Sequence, residues 1–201
     1  MTDLQHSFDY YALRYLLLWE QAERKIFEQF SASRSPEALR KAMHHFRISR
    51  SFSGVADNAK ANLIIDALNQ ANSGAPADNV HSLAARFKKE FDLFNLSAAS
   101  KLLWWKHKSP YLIYDSQAVK TLRKLGHRFE TRDYADYERS WRSAYDRYEG
   151  EIERAAASLI VLHPFIAHWH STPDSIAELA SQPWFKDRVF DMALWDNGND
   201  G

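Results

Sequence analysis

Leu96-Ser97-Ala98-Ala99-Ser100-Lys101-Leu102-Leu103-Trp104-Trp105 and, after a short polar break, Pro110-Tyr111-Leu112-Ile113-Tyr114-Asp115-Ser116 are the stretches on which the reading of this chain turns. The first is rich in alanine and leucine, residues that lose little freedom in a helix. It sets one lysine, Lys101, at the start of an apolar, tryptophan-bearing helix. The second ends on Asp115-Ser116, a helix N-cap signature ahead of Ala118, Val119, Leu122 and Leu125, with Gly126 as a natural stop. A lysine in apolar surroundings can shed its proton and become a nucleophile. A carboxylate facing it can stabilise a developing cation. Lys101 and Asp115 are therefore the candidate reacting pair.

Outward from this centre the pattern is helical nearly throughout. Phe8 to Phe30 places Tyr11, Tyr15, Leu18, Ala22, Ile26 and Phe30 at three- and four-residue steps. Ser35-Pro36-Glu37 opens a second helix with serine as cap and proline in the first turn. Asp57 to Asn72 reads as a third, and Asn72-Ser73-Gly74-Ala75-Pro76 as the clearest loop. Asp78 or Asn79 is expected to cap a fourth helix. A long helix runs from Asp133 to about Leu162, where Pro164 breaks it. Thr172-Pro173 and Pro183 start the last two, and the final one is expected to end near Trp195 before a polar tail. No segment reads as a convincing strand, and Ile113-Tyr114 is extended at most briefly. The expected fold is all-α, eight to ten helices in one domain over 1–201. Two lobes are open to it, 1–74 with the C-terminal helices, and 78–130.

Composition narrows the class. The chain has 201 residues, no cysteine, seven tryptophans and twelve phenylalanines, enough to bury a sizeable core. Thiolate metal sites and disulfides are excluded. The longest apolar run near the N-terminus, Tyr15 to Trp19, is too short for a signal or a membrane span, so a cytoplasmic protein with no membrane association is expected. The formal charge is zero, yet Lys101, Lys106, Lys108, Lys120, Arg123, Lys124 and Arg128 face the single acid Asp115 within residues 101–128. Such a basic stretch can steer a phosphate backbone to one face, or be a solvated helix surface.

The two opening stretches together resemble the core of the helix-hairpin-helix DNA glycosylase superfamily, nearest the 8-oxoguanine DNA glycosylase branch. There a hairpin of the type Leu-Pro-Gly-Val-Gly-x-Lys ends in a catalytic lysine, and a proline-led apolar segment delivers a catalytic aspartate at a helix start. Lys101 and Asp115 fall in those places. The resemblance spans about 96–122. No glycine occurs between Gly74 and Gly126, so Ser97, Ala98, Ala99 and Ser100 stand where the family's hairpin has glycines, and the lysine-to-aspartate separation is shorter by about one helical turn. The resemblance implies excision of a damaged base from duplex DNA through a lysine Schiff base, with possible strand cleavage at abasic sites and no cofactor. Trp104, Trp105, Tyr114 or Trp195 would wall the pocket of the everted base. Ser97, Ser100, Lys106, Lys108, Lys120, Arg123, Lys124 and Arg128 would meet DNA.

Plain roles stand beside these. The plain role of Lys101 is a stem laid on apolar surface, and that of Asp115 an ordinary N-cap. Trp104 and Trp105 point about 100° apart on a helix, which puts at least one in the core, and Trp195 is expected to pack. His163, His168 and His170 lack ligand spacing, as does His44-His45, and no metal is expected. Arg40 and His45, with four residues between, distantly resemble the motif of HEPN-type ribonucleases. The aromatic helix 133–148, with Arg132, Arg139, Arg142 and Arg147 among Asp133, Asp136, Glu138 and Asp146, fits an ion-paired face or a surface for a protein partner. A glycosylase-like scaffold that binds DNA or protein without chemistry is the non-enzymatic alternative.

Overall fold

Helix signals written along the chain are realised almost one for one in the computed structural model, which describes residues 4–71, 74–165 and 172–199. Ten α-helical segments occur among these residues: α1 (Phe8–Leu18), α2 (Arg24–Ser33), α3 (Pro36–His45), α4 (Asn58–Gln70), α5 (Pro76–Phe91), α6 (Leu96–His107), α7 (Ser116–Lys124), α8 (Tyr134–Leu162), α9 (Pro173–Ser181) and α10 (Pro183–Gly198). No strand is present among them, and the fold is all-α. A π-helical segment, Trp19–Glu23, lies between α1 and α2. The sequence reads as one helix there, because a single extra residue per turn leaves no mark on the apolar spacing.

Caps explain most boundaries. Ser35 Oγ accepts from the Ala38 N–H, with Pro36 at the first helical position. Asn95, Asp115 and Asp133 each accept from the first turn of α6, α7 and α8. Thr172 and Ser175 form a reciprocal capping box. Two boundaries differ from expectation. α5 starts at Pro76 rather than at Asp78 or Asn79, since proline's fixed φ suits a first turn that needs no N–H. α10 continues past Trp195 to Gly198, held by contacts described below.

The chain forms two units, 1–23 with 115–201, and 24–114. The lobe boundary considered between residues 74 and 78 lies inside the second unit; the unit boundaries fall at Glu23–Arg24 and Tyr114–Asp115. In the second unit α6 is packed by α2, α3, α4 and α5. Every residue from Ala98 to Trp105 is buried, so this helix is enclosed over that stretch and meets solvent only towards its ends. Leu39, Met43, Phe52, Ile64, Leu83 and Phe87 complete that core.

The first unit is built on α1, α7, α8, α9 and α10. Tyr134, Tyr137, Trp141 and Tyr145, the aromatic stripe of α8, are buried in its core. Trp141 stacks on Tyr145 at 5.2 Å and meets the Phe190 ring edge-on at 5.0 Å. The stripe is thus internal packing; α8 carries an Arg139–Asp136 ion pair on its surface, and Ile160 and Val161 are exposed near its C-terminal end. Arg142 reaches across to Asp187 of α10 at 3.0 Å.

A charged network crosses this core. Glu23, fully buried, and Asp191 share the Arg188 guanidinium at 3.4 Å each. The Tyr15 hydroxyl donates to Glu23 at 3.0 Å and the Trp141 indole N–H to Asp191 at 2.9 Å. Burial pushes the Asp191 carboxyl from its ordinary 3.8 up to about 7, against the pull of Arg188 and the indole. The folded state therefore keeps a proton that the unfolded chain releases. This contribution to stability is complete below about pH 4 and is lost as pH rises through about 7. Asp191→Asn is expected to flatten the loss of stability between pH 5 and pH 8, read from urea unfolding by tryptophan fluorescence. An unchanged pH slope would show that Asp191 does not titrate in that window.

Candidate functional site

Lys101 is placed by a short chain of local causes. Asp92 in the left-handed region (φ 54°) closes α5, Asn95 caps α6, and the sixth residue of α6 is Lys101. Its side chain is buried at 8 % exposure, with the Nζ 5.9 Å from the centre of the Phe46 ring. Phe46, at the end of α3, meets the indoles of Trp104 and Trp105 edge-on at 5.9 and 5.5 Å. The Lys101 amine thus lies near an aromatic ring in the interior of the second unit.

Asp115 stands at the start of α7 and belongs to the first unit, whereas Lys101 belongs to the second. The Asp115 carboxylate accepts from the Gln117 N–H at 3.0 Å, the cap expected of it. One bond within the second unit is informative. The Ser100 hydroxyl accepts from the Tyr114 N–H at 2.9 Å. It joins the residue immediately before Lys101 to the residue immediately before Asp115. Nothing in the sequence signals this bond, which spans fourteen residues; Ser100 reads only as a small residue in a helix.

Several expected contacts are corrected. Ser100 is fully buried and its hydroxyl also donates to the Ser97 carbonyl at 3.1 Å, so it is not open to a phosphate; Ser97 is half-buried. Lys108 is buried too. Its ammonium lies 3.6 Å from the Trp104 ring centre, 4.2 Å from Phe27 and 5.0 Å from Trp105. Three aromatic faces hold it by cation–π attraction, which a phosphate cannot reach. Trp104 and Trp105 are both in the core, at 1 % and 0 % exposure, because α6 is surrounded. They pack against their neighbours and present no open face to a base. The Trp105 Nε1 is buried without a hydrogen-bond partner.

Other candidates keep an open side. Tyr114 is half-buried, and Trp195 is 41 % exposed rather than packed. Lys120, Arg123, Lys124 and Arg128 are exposed in the first unit. Lys124 donates to the Asn197 carbonyl at 2.9 Å, and Arg123 lies 5.8 Å from the Phe129 ring centre. Lys106 is half-buried and donates to the Leu68 carbonyl at 2.6 Å. Burial, then the charges of Lys106 and Arg34, holds His107 below the ordinary histidine range.

Arg40 and His45 are occupied structurally. Arg40 bonds the Asn58 side chain at 3.1 Å and the carbonyls of Val55 and Ala56, and His45 packs edge-on against Trp105 at 6.0 Å. Among the described residues no group of three or more His, Asp or Glu is placed to hold a metal ion, and His168 and His170 lie outside them. No helix among the described residues is long and apolar enough to cross a membrane. Comparison with protein-family models, with curated proteins and with solved structures returned no match.

Proposed function

We propose that this protein acts on DNA as a glycosylase of the helix-hairpin-helix type, excising an oxidised purine such as 8-oxoguanine with Lys101 as nucleophile and Asp115 as the stabilising carboxylate. The Ser100–Tyr114 bond carries the reading, because it fixes the last residue of the proline-led segment on the residue before Lys101. The aromatic surroundings of Lys101 and the cap position of Asp115 support it. Lys120, Arg123, Lys124 and Arg128 are the cations left on the surface to meet phosphates.

Lys101 supplies the nucleophilic nitrogen. Its nitrogen bonds C1′ of the everted nucleotide as the bond from C1′ to the base breaks. The electron pair leaves with the base, which takes one proton from the amine. The second amine proton ends on O4′ as the C1′–O4′ bond opens, leaving a Schiff base between Lys101 and the sugar. The Asp115 carboxylate offsets the positive charge that builds on C1′ and O4′.

The test is borohydride reduction of the protein mixed with an 8-oxoguanine duplex. A covalent protein–DNA adduct is expected, absent in Lys101→Ala. Asp115→Asn is expected to slow base release by roughly a hundredfold or more while duplex binding changes little. No adduct across a panel of damaged bases would overturn the proposal. Salt-sensitive DNA binding in that case would leave a binding module.

A further inference from the structure

We infer that Gly198, in the last turn of α10, positions the Asp115 carboxylate for the step proposed above; the inference rests on that reading. The geometry lies wholly within the first unit. A Cβ added at Gly198 would overlap the Gln117 carbonyl oxygen and stand 2.6 Å from its carbonyl carbon and 2.7 Å from its Cα. The two backbones therefore touch, with no side chain between them to yield. The N–H of the same Gln117 is the group that holds the Asp115 carboxylate, at 3.0 Å. One residue thus bears on Gly198 through its backbone and on Asp115 through its amide.

The crossing is fixed from both sides. Thr121 Oγ1 donates to the Leu194 carbonyl at 2.6 Å and Lys124 Nζ to the Asn197 carbonyl at 2.9 Å, pinning α7 on the last turns of α10. Asn197 is itself buried, donating to the Tyr11 hydroxyl at 3.1 Å and accepting from the Gln5 N–H at 2.9 Å. The end of α10 is a hydrogen-bonded ledge on which the first turn of α7 rests. Gly198 is a positioning residue that acts through Gln117. A displacement of about 1 Å in a group that must face a developing charge costs a large factor in rate.

The experiment compares wild type, Gly198→Ala and Thr121→Val in three measurements. The first is hydrogen exchange at the Gln117 amide, which does not depend on any activity. It is expected to quicken in both variants relative to amides of α8, and unchanged exchange overturns the positioning role. The second is single-turnover release of 8-oxoguanine, expected to slow by roughly ten- to a hundredfold in Gly198→Ala and less in Thr121→Val. The third is borohydride trapping of a preformed abasic duplex, where the aldehyde is already present and no cation has to form at C1′. Trapping is expected to survive. A purely structural role would lower base release and trapping together, and that result rejects the inference. Should Gly198→Ala fail to fold, Thr121→Val removes a hydrogen bond without a clash and decides the matter alone. A wild-type protein that neither releases the base nor traps the abasic duplex overturns the glycosylase reading and this inference with it, whereas wild-type activity with unsplit variants overturns this inference only.

Discussion

At pH 8, above the range in which Asp191 keeps its proton, Arg188→Ala is expected to destabilise the fold by about 3–5 kcal/mol, seen as a lowered urea midpoint with an unchanged slope. The guanidinium lies between two acids, Glu23 at 0 % exposure and Asp191 at 5 %. Removing it leaves both inside without their shared counter-charge. Tyr15 and Trp141 would still donate to them, yet neither donor carries charge. The comparison that isolates this cause keeps the volume and deletes the charges. Arg188→Met alone is expected to cost nearly as much as the alanine variant, because the acids remain. Arg188→Met combined with Glu23→Gln and Asp191→Asn is expected to recover most of the loss. A cost below about 1 kcal/mol for Arg188→Ala would mean that the network is hydrated or that the acids are protonated together.

Trp104→Ala is expected to lose about 3–5 kcal/mol, near the upper end of large-to-small core changes. Two terms act at once. The indole, 1 % exposed, fills the space among Phe46, Trp105 and α6, and its loss leaves a cavity in a helix core with no free side to collapse. It also supplies the nearest of the three faces against the Lys108 ammonium, 3.6 Å from its ring centre. A desolvated cation–π contact is worth about 2 kcal/mol, so the buried ammonium loses the nearest of its three ring faces. Trp104→Phe keeps a ring face and is expected to lose about half as much. Lys108→Met in the Trp104→Ala background should restore part of the stability, since it removes a buried charge that has lost one of its ring faces. Equal losses for the alanine and phenylalanine variants would assign the whole effect to volume.

Much of the helical order is legible in the residues themselves. Ser35-Pro36 starts α3, Asp115 starts α7, and Gly126, with φ 92°, follows the end of α7. These are local signals, in which a side chain satisfies a backbone group two or three residues away. The aromatic spacing of α8 likewise shows which face turns inward, though not that the whole stripe is consumed by packing. The lysine-aspartate pair is legible as two chemically suited residues. The hydrogen bond between their neighbours Ser100 and Tyr114 is not, because no local rule links positions fourteen apart.

The burial of Lys108 shows the same limit from the other side. By composition it belongs to a basic stretch, and by structure it is enclosed by Phe27, Trp104 and Trp105. Phe27 sits on α2, some eighty residues away in the chain. Only the packing of α2 on α6 brings that ring to the ammonium. Gly198 is a parallel case. In the sequence it is part of an Asn-Gly-Asn-Asp-Gly tail with every mark of a solvated end. Its place against the Gln117 backbone exists because α10 crosses α7 there.

By itself the sequence determined the all-α class, the starts of most helices, and a lysine and an aspartate set at suitable points in two of them. Caps, prolines and the helical period act within a few residues, so they are written in order along the chain. Tertiary structure alone decided which cations reach the surface, which tryptophans are buried, and what lies behind the turn that bears Asp115. Those outcomes depend on close packing between segments far apart in sequence, where one missing side chain, as at Gly198, permits a contact that no neighbouring residue announces.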